Sequence, residues 1–165
     1  MISKKMTTEL TKQINAELFS AYLYMSMSSY AESTGFKGAA AWFAAQAQEE
    51  LTHALKFYKY LNSQRAHVVL DAIAKPTAKF SGVKGMFEGA LAHEKKITAK
   101  INALANLATA EKDHATLSLL QWFVTEQVEE EDNASDILMK LNLAGDKGGA
   151  LFMIDRELGA RQFGA

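Results

Sequence analysis

The stretch NSQRAHVVLDAIAKPTAKFS, residues 62–81, decides the fold. It has no helical period and contains Pro76, the single proline of the 165-residue chain. Proline lacks an amide hydrogen and clashes with the preceding helical turn, so its scarcity elsewhere permits long helices. Upstream, Leu10, Ile14, Leu18, Ala21 and Met25 recur at spacings of three and four, predicting a helix over about 8–34 that Gly35 stops. A second helix, over about 37–61, carries Ala40, Phe43, Ala47, Ala54, Phe57 and Leu61. Downstream, Phe87, Ala90, Ile97, Ile101 and Leu104 predict a helix over about 83–112. Asp113 is an N-cap for a fourth helix, over about 114–142, with Leu120, Phe123, Ala134, Ile137 and Leu141 on its apolar stripe. A short fifth helix over about 149–158, after Gly145, aligns Leu151, Ile154 and Leu158.

The unequal connections give the topology. Each pair of long helices is joined by a few residues and forms an antiparallel hairpin. The long helices measure about 40 Å at the α-helical rise. Twenty extended residues reach roughly 60 Å, enough to run the length of a bundle. The expected fold is all-α: two hairpins joined by one long crossover, with residues 1–165 as one domain.

Composition excludes several chemistries. With 18 basic and 19 acidic residues, no global field draws the chain to nucleic acid or an anionic membrane. Without cysteine there are no disulfides, thiolate metal sites or thiol nucleophiles. The N-terminal residues hold no apolar signal-peptide core and no run is long enough to span a bilayer, so a cytoplasmic location is expected.

The hairpins are related by a degenerate repeat offset by 77 positions: Glu17 maps onto Glu94, Glu49 onto Glu126, Glu50 onto Gln127 and His53 onto Glu130. Glu17, Glu50, Glu94 and Glu130 interrupt the apolar stripes, one on each long helix. A core-facing carboxylate is costly unless it is paired or binds metal, and no Lys or Arg breaks these stripes nearby. Glu50 and His53, like Gln127 and Glu130, are three apart and share a helix face. Two divalent cations would neutralise four such carboxylates. Oxygen ligands with one imidazole and no sulfur suit Fe²⁺ or Mn²⁺, and spacing does not choose between them. His67 and His114 have no partners and read as solvated; His93 points about 100° away from Glu94 and reads as a surface residue.

The segments Ile14-Asn15-Ala16-Glu17-Leu18, Gln48-Glu49-Glu50-Leu51-Thr52-His53, Leu120-Gln121-Trp122-Phe123, Glu126-Gln127-Val128-Glu129-Glu130-Glu131 and Leu143-Ala144-Gly145 together resemble those of bacterial non-haem ferritins, over essentially the whole chain. The resemblance implies a ferritin-like four-helix bundle that stores iron and acts as a ferroxidase, oxidising Fe²⁺ with O₂ at a di-iron centre. One iron would bind Glu17, Glu50 and His53, and the other Glu50, Glu94 and Glu130, with Gln127 beside it. Glu49, Glu126 and Glu129, with Glu130, resemble a third iron site facing the inner surface. Tyr24 resembles the tyrosine near the centre, a candidate electron donor, and Trp122 is another. Plain core packing would account equally for both aromatics. Leu51 stands where bacterioferritins place a haem-binding methionine, so no haem is expected. The family assembles shells of twenty-four subunits, its fifth helix at the four-fold axes. The apolar run Val68-Val69-Leu70 in the crossover could meet a neighbouring subunit. Two rivals remain at this point: a different di-iron enzyme on the same bundle, and a structural bundle whose acids are merely solvated.

Overall fold

In the computed structural model, the described residues are 2–145 and 148–161. The expected single-domain span of 1–165 therefore includes positions outside them. Among the described residues five helices follow in order: α1 (Lys4–Ser33), α2 (Lys37–Ser63), α3 (Gly82–Glu111), α4 (His114–Ala144) and α5 (Gly148–Leu158). The segment between α2 and α3 is neither helix nor strand.

The starts of α2 and α4 and the end of α5 fall as expected, and the other ends differ by one to four residues. α1 begins earlier because Ser3 caps it, its hydroxyl accepting from the Met6 amide at 2.9 Å. Asp113 caps α4 as read, accepting from the Thr116 amide at 3.0 Å. α3 stops at Glu111 because Lys112 turns left-handed, with φ 54°.

The α1 stripe is also corrected. Met25 is 59 % exposed and Ala21 only half-buried, whereas Tyr24, Met27 and Ala31 fill the core. The buried face follows the 3.6-residue period inward past Glu17; the residues drawn from Leu18 to Met25 instead border an apolar groove between α1 and α2.

The apolar core is split into two clusters. One contains Met27 and Ala31 of α1, Ala40 and Phe43 of α2, Met86 and Phe87 of α3, and Ile137 and Leu141 of α4. The other contains Leu10 and Ile14, Phe57 and Leu61, Ile97 and Ile101, and Leu120 and Phe123. Along the chain, α1 and α4 pass from the second cluster to the first; α2 and α3 pass from the first to the second. Helices α2 and α3 therefore run in the same direction, and the crossover returns along the whole bundle. Bonds to α1 hold it there: Asn15 Nδ2 donates to the Ala72 carbonyl at 3.1 Å, and Ser26 Oγ to that of Thr77 at 2.7 Å.

Helix α5 docks on the start of α2. Phe36 offers no side-chain cap there, and Asp155 of α5 supplies one, accepting from the Gly38 and Ala39 amides at 3.1 and 2.8 Å. A Cβ at position 38 would sit 1.6 Å from the Asp155 carbonyl oxygen, so this approach requires glycine.

Candidate metal centre

Each long helix changes core cluster at one level, and a polar layer fills that level. Glu17, Glu50, Glu94 and Glu130 are there, one per helix, all at most 5 % exposed, with His53 and Gln127 equally buried. The sequence periods demanded this placement, because these positions share the faces that carry the flanking apolar residues.

Ligand atoms of Glu17, Glu50 and His53 all lie within 4.8 Å of one another, and so do those of His53, Glu126 and Glu130. His53 joins the groups: its Nδ1 is 3.6 Å from Glu50 Oε2 and its Nε2 3.6 Å from Glu126 Oε1. Glu94 enters neither group. Its carboxylate accepts from the Tyr24 hydroxyl and, at 3.2 Å, from Gln127 Nε2. Gln127 thus faces Glu94 as a donor. Glu49 pairs with Arg161, and Glu129 is exposed. Trp122 lies edge-on to His53, ring centres 5.6 Å apart, with the Lys56 ammonium 3.1 Å above its own ring.

Two glutamines that the sequence reading passed over complete the layer. Gln13 Nε2 donates to Glu17 Oε1 at 2.8 Å; Gln46 Nε2 donates to Glu50 Oε1 at 3.2 Å and to Glu130 Oε2 at 2.7 Å. A signal existed, since each stands four residues before a stripe glutamate, and i, i+4 side chains meet on a helix. His93 is also corrected. It is mostly buried, 2.7 Å from Ser20 Oγ and edge-on to Tyr24, because the α1–α3 contact reaches beyond the stripe. Burial there lowers its pKa to about 4.

Burial and mutual repulsion dominate the electrostatics of this layer. Burial raises the Glu17 pKa well above the usual range, and nearby Glu50 raises it further. Glu50 is raised well above it too, by burial and then by Glu94 and Glu130; Glu94 is raised mainly by burial. Glu130 is pushed up to about 8, by burial first and then by Glu94. No Lys or Arg pairs with any of the four carboxylates among the described residues. Buried Glu17 Oε2 has no hydrogen-bond partner among the described residues. Protons can neutralise such a layer, and divalent cations can do so while also satisfying its lone pairs.

A family profile described as a ferritin-like domain matches residues 7–144. The chain is 38 % identical over 163 residues to a bacterial non-heme ferritin of Staphylococcus epidermidis, covering 99 % of this chain and 98 % of that protein. It is 40 % identical over 159 residues to a probable bacterial non-heme ferritin-like protein of Haemophilus influenzae, covering 96 % of each. Among solved structures it is similar to the open pore ferritin of the hyperthermophilic archaeon Archaeoglobus fulgidus. That similarity has a TM-score of 0.97 and 45 % identity, over 98 % of this chain and 100 % of the other.

Proposed function

The chain belongs to the ferritin family of iron-storage proteins, and from that premise we propose that it is a ferroxidase, oxidising Fe²⁺ with O₂ in its polar layer. The observation that carries this reading is the burial of four carboxylates and an imidazole from four helices at one level, with no Lys or Arg paired to those carboxylates among the described residues.

Fe²⁺ is the substrate. Glu17, Glu50 and His53 take one ion, and Glu50, Glu94 and Glu130 take the second, with Gln127 at its edge. Glu50 is shared, which keeps two one-electron donors close enough to supply O₂ with a pair of electrons. The flanking apolar clusters limit water, strengthening the attraction of carboxylate for cation. Displaced carboxyl protons leave as the cations enter. Two Fe²⁺ give O₂ two electrons, and with two protons it leaves as hydrogen peroxide; reduction on to water would draw one more electron from Tyr24, hydrogen-bonded to Glu94, and one from a third Fe²⁺ at the outer site.

Product Fe³⁺ then moves towards Glu49, Glu126 and Glu129, aided by His53 and Glu130, whose ligand atoms already group with Glu126. From there it hydrolyses to a ferric oxyhydroxide mineral inside a multi-subunit shell, proposed to contain twenty-four copies. The apolar α1–α2 groove, bordered by exposed Tyr22, Met25 and Leu51, supports burial against a neighbouring subunit. No helix among the described residues is long and apolar enough to cross a membrane. The proposed location is the cytoplasm, a reducing compartment in which iron is available as Fe²⁺.

Mixing apo-protein with Fe²⁺ and air should oxidise iron faster than buffer alone. Glu50→Ala, which removes the shared ligand, should return the rate close to that of buffer; undiminished oxidation in this variant would defeat the site assignment. Sedimentation of iron-loaded protein tests the shell and mineral. Small particles would favour a di-iron enzyme that does not store iron in a shell.

A further inference from the structure

Arg161 lies three residues past the end of α5, yet it reaches the polar layer. Two features of the fold deliver it. Asp155 fastens α5 to the first turn of α2, and Gly159 packs its backbone there, a Cβ at 159 falling 3.3 Å from Gly38 Cα. Two residues on, the guanidinium lies 4.3 Å from the centre of the Trp42 ring. Its Nη1 donates to Gln46 Oε1 at 2.7 Å, and its Nη2 pairs with Glu49. Trp42, Gln46 and Glu49, at steps of four and three, share one face of α2. This cation stack and two-pronged hydrogen bonding need the planar fork of arginine.

The two prongs act on different parts of the centre. The first fixes the Gln46 amide with its oxygen outward, so that its nitrogen faces Glu50 and Glu130. Turned the other way, the amide oxygen would oppose both carboxylates. The second neutralises Glu49, whose pKa burial raises and Arg161 lowers.

We infer that Arg161 is a positioning residue for the outer metal site, a displaceable counter-ion that occupies Glu49 until a metal cation takes its place. The inference rests on the site reading proposed above and adds to it a specific competitor. A cation taking Glu49 Oε2 must break the Arg161 pair, and one approaching Oε1 meets the repulsion of the guanidinium while it remains nearby. Metal arriving at Glu49 thus releases the Arg161 end of the α5 segment, and with it the restraint on Gln46.

Anaerobic calorimetric titration of the full-length apo-protein with Zn²⁺ alone, which has no redox chemistry, tests this. Inner and outer binding classes are expected. Arg161→Gln should tighten the outer class about tenfold, the scale of one charged hydrogen bond. Arg161→Lys, which keeps a charge near Glu49 but loses the Gln46 prong, should tighten the outer class by less than Arg161→Gln does. Glu49→Gln should abolish the gain in the Arg161→Gln background. An outer class unchanged or weakened by Arg161→Gln overturns the inference.

A readout that leaves Arg161 in place guards against misfolding of that variant. In a Trp122→Phe background Trp42 is the remaining indole, and its emission should change as the outer class fills. Emission that stays constant through that range also overturns the inference. Glu50→Ala separates the two levels, because intact inner binding in that variant refutes the site reading itself.

Discussion

In the α1–α2 hairpin, Glu17 and Glu50 each accept from a glutamine one turn earlier on their own helix, and His53 lies against Glu50. In the α3–α4 hairpin the equivalent positions before Glu94 and Gln127 are Ala90 and Phe123, which donate nothing. Glu94 is held instead by Tyr24 of the first hairpin and by Gln127, and Glu130 by Gln46 of the first hairpin. The repeat therefore preserves where carboxylates stand but not how they are held. The first half supplies its own donors and leaves Glu17 Oε2 without a partner among the described residues; the second draws on Tyr24 and Gln46 of the first beside its own Gln127, and both Glu94 oxygens are engaged. A cation should bind the α1–α2 group first and the Glu94 side second.

That order breaks most sharply under paired substitutions. Glu17→Ala should weaken the first Zn²⁺ equivalent by about a hundredfold, as the loss of one of three ligands implies. Glu94→Ala should leave the first equivalent nearly intact and affect the second. Calorimetric titration reads both; equal damage to the first equivalent would show that the halves are not distinct.

Acid should produce the next largest effect. Glu130 holds its proton up to about pH 8, against 4.5 for an unperturbed glutamate. Its neutral form contributes stability that is fully present below 4.5 and is lost as pH rises through 8. Apo-protein should therefore melt at lower temperature at pH 8 than at pH 5, while bound metal should reverse the trend. Since the cation must displace that proton, affinity should fall roughly thirtyfold from pH 7.5 to 6, for one proton released per ion. Proton release measured in weak buffer checks the stoichiometry; binding that ignores pH would mean the carboxylates are already ionised.

Gln127→Glu restores the symmetry of the repeat. It removes a donor to Glu94 and supplies another carboxylate, so the second Zn²⁺ equivalent should tighten by about tenfold. The apo-protein should melt about 5 °C lower, because another buried charge meets Glu94 and Glu130. An unchanged second equivalent would place position 127 outside the binding set.

The long helices and the crossover were legible because helical period, Pro76 and chain length leave few alternatives. The core positions of Glu17, Glu50, Glu94 and Glu130 were legible for the same reason: a stripe that carries Ile14 inward carries Glu17 with it. The wiring was not. A glutamine on an apolar face has no preferred reading until its neighbour's carboxylate is known, so sequence alone does not single out Gln13 and Gln46. Arg161 contacts residues 112 and 115 positions away, delivered by the docking of α5, and no local period encodes that. Met25 shows the opposite failure, since an apolar residue at the right spacing can serve a surface groove.

Tyr24→Phe offers the finest test of the borrowed donors. The ring stacks on Phe43 at 6.0 Å and is edge-on to His93, contacts that phenylalanine retains. Only the hydroxyl is lost, and its loss has two opposing consequences. The Tyr24 bond favours ionised Glu94, so removing it raises the carboxyl pKa further and makes a cation compete harder with the proton. Removing it also frees a Glu94 oxygen that a cation could use. The proton effect dominates in acid and fades in base, where the freed oxygen remains. The second Zn²⁺ equivalent should therefore weaken about threefold in acid and tighten about threefold in base, within the range of one hydrogen bond. The first equivalent, bound by Glu17, Glu50 and His53, should not change at either pH. A change of the same sign at both would show that Tyr24 acts on Glu94 only through packing.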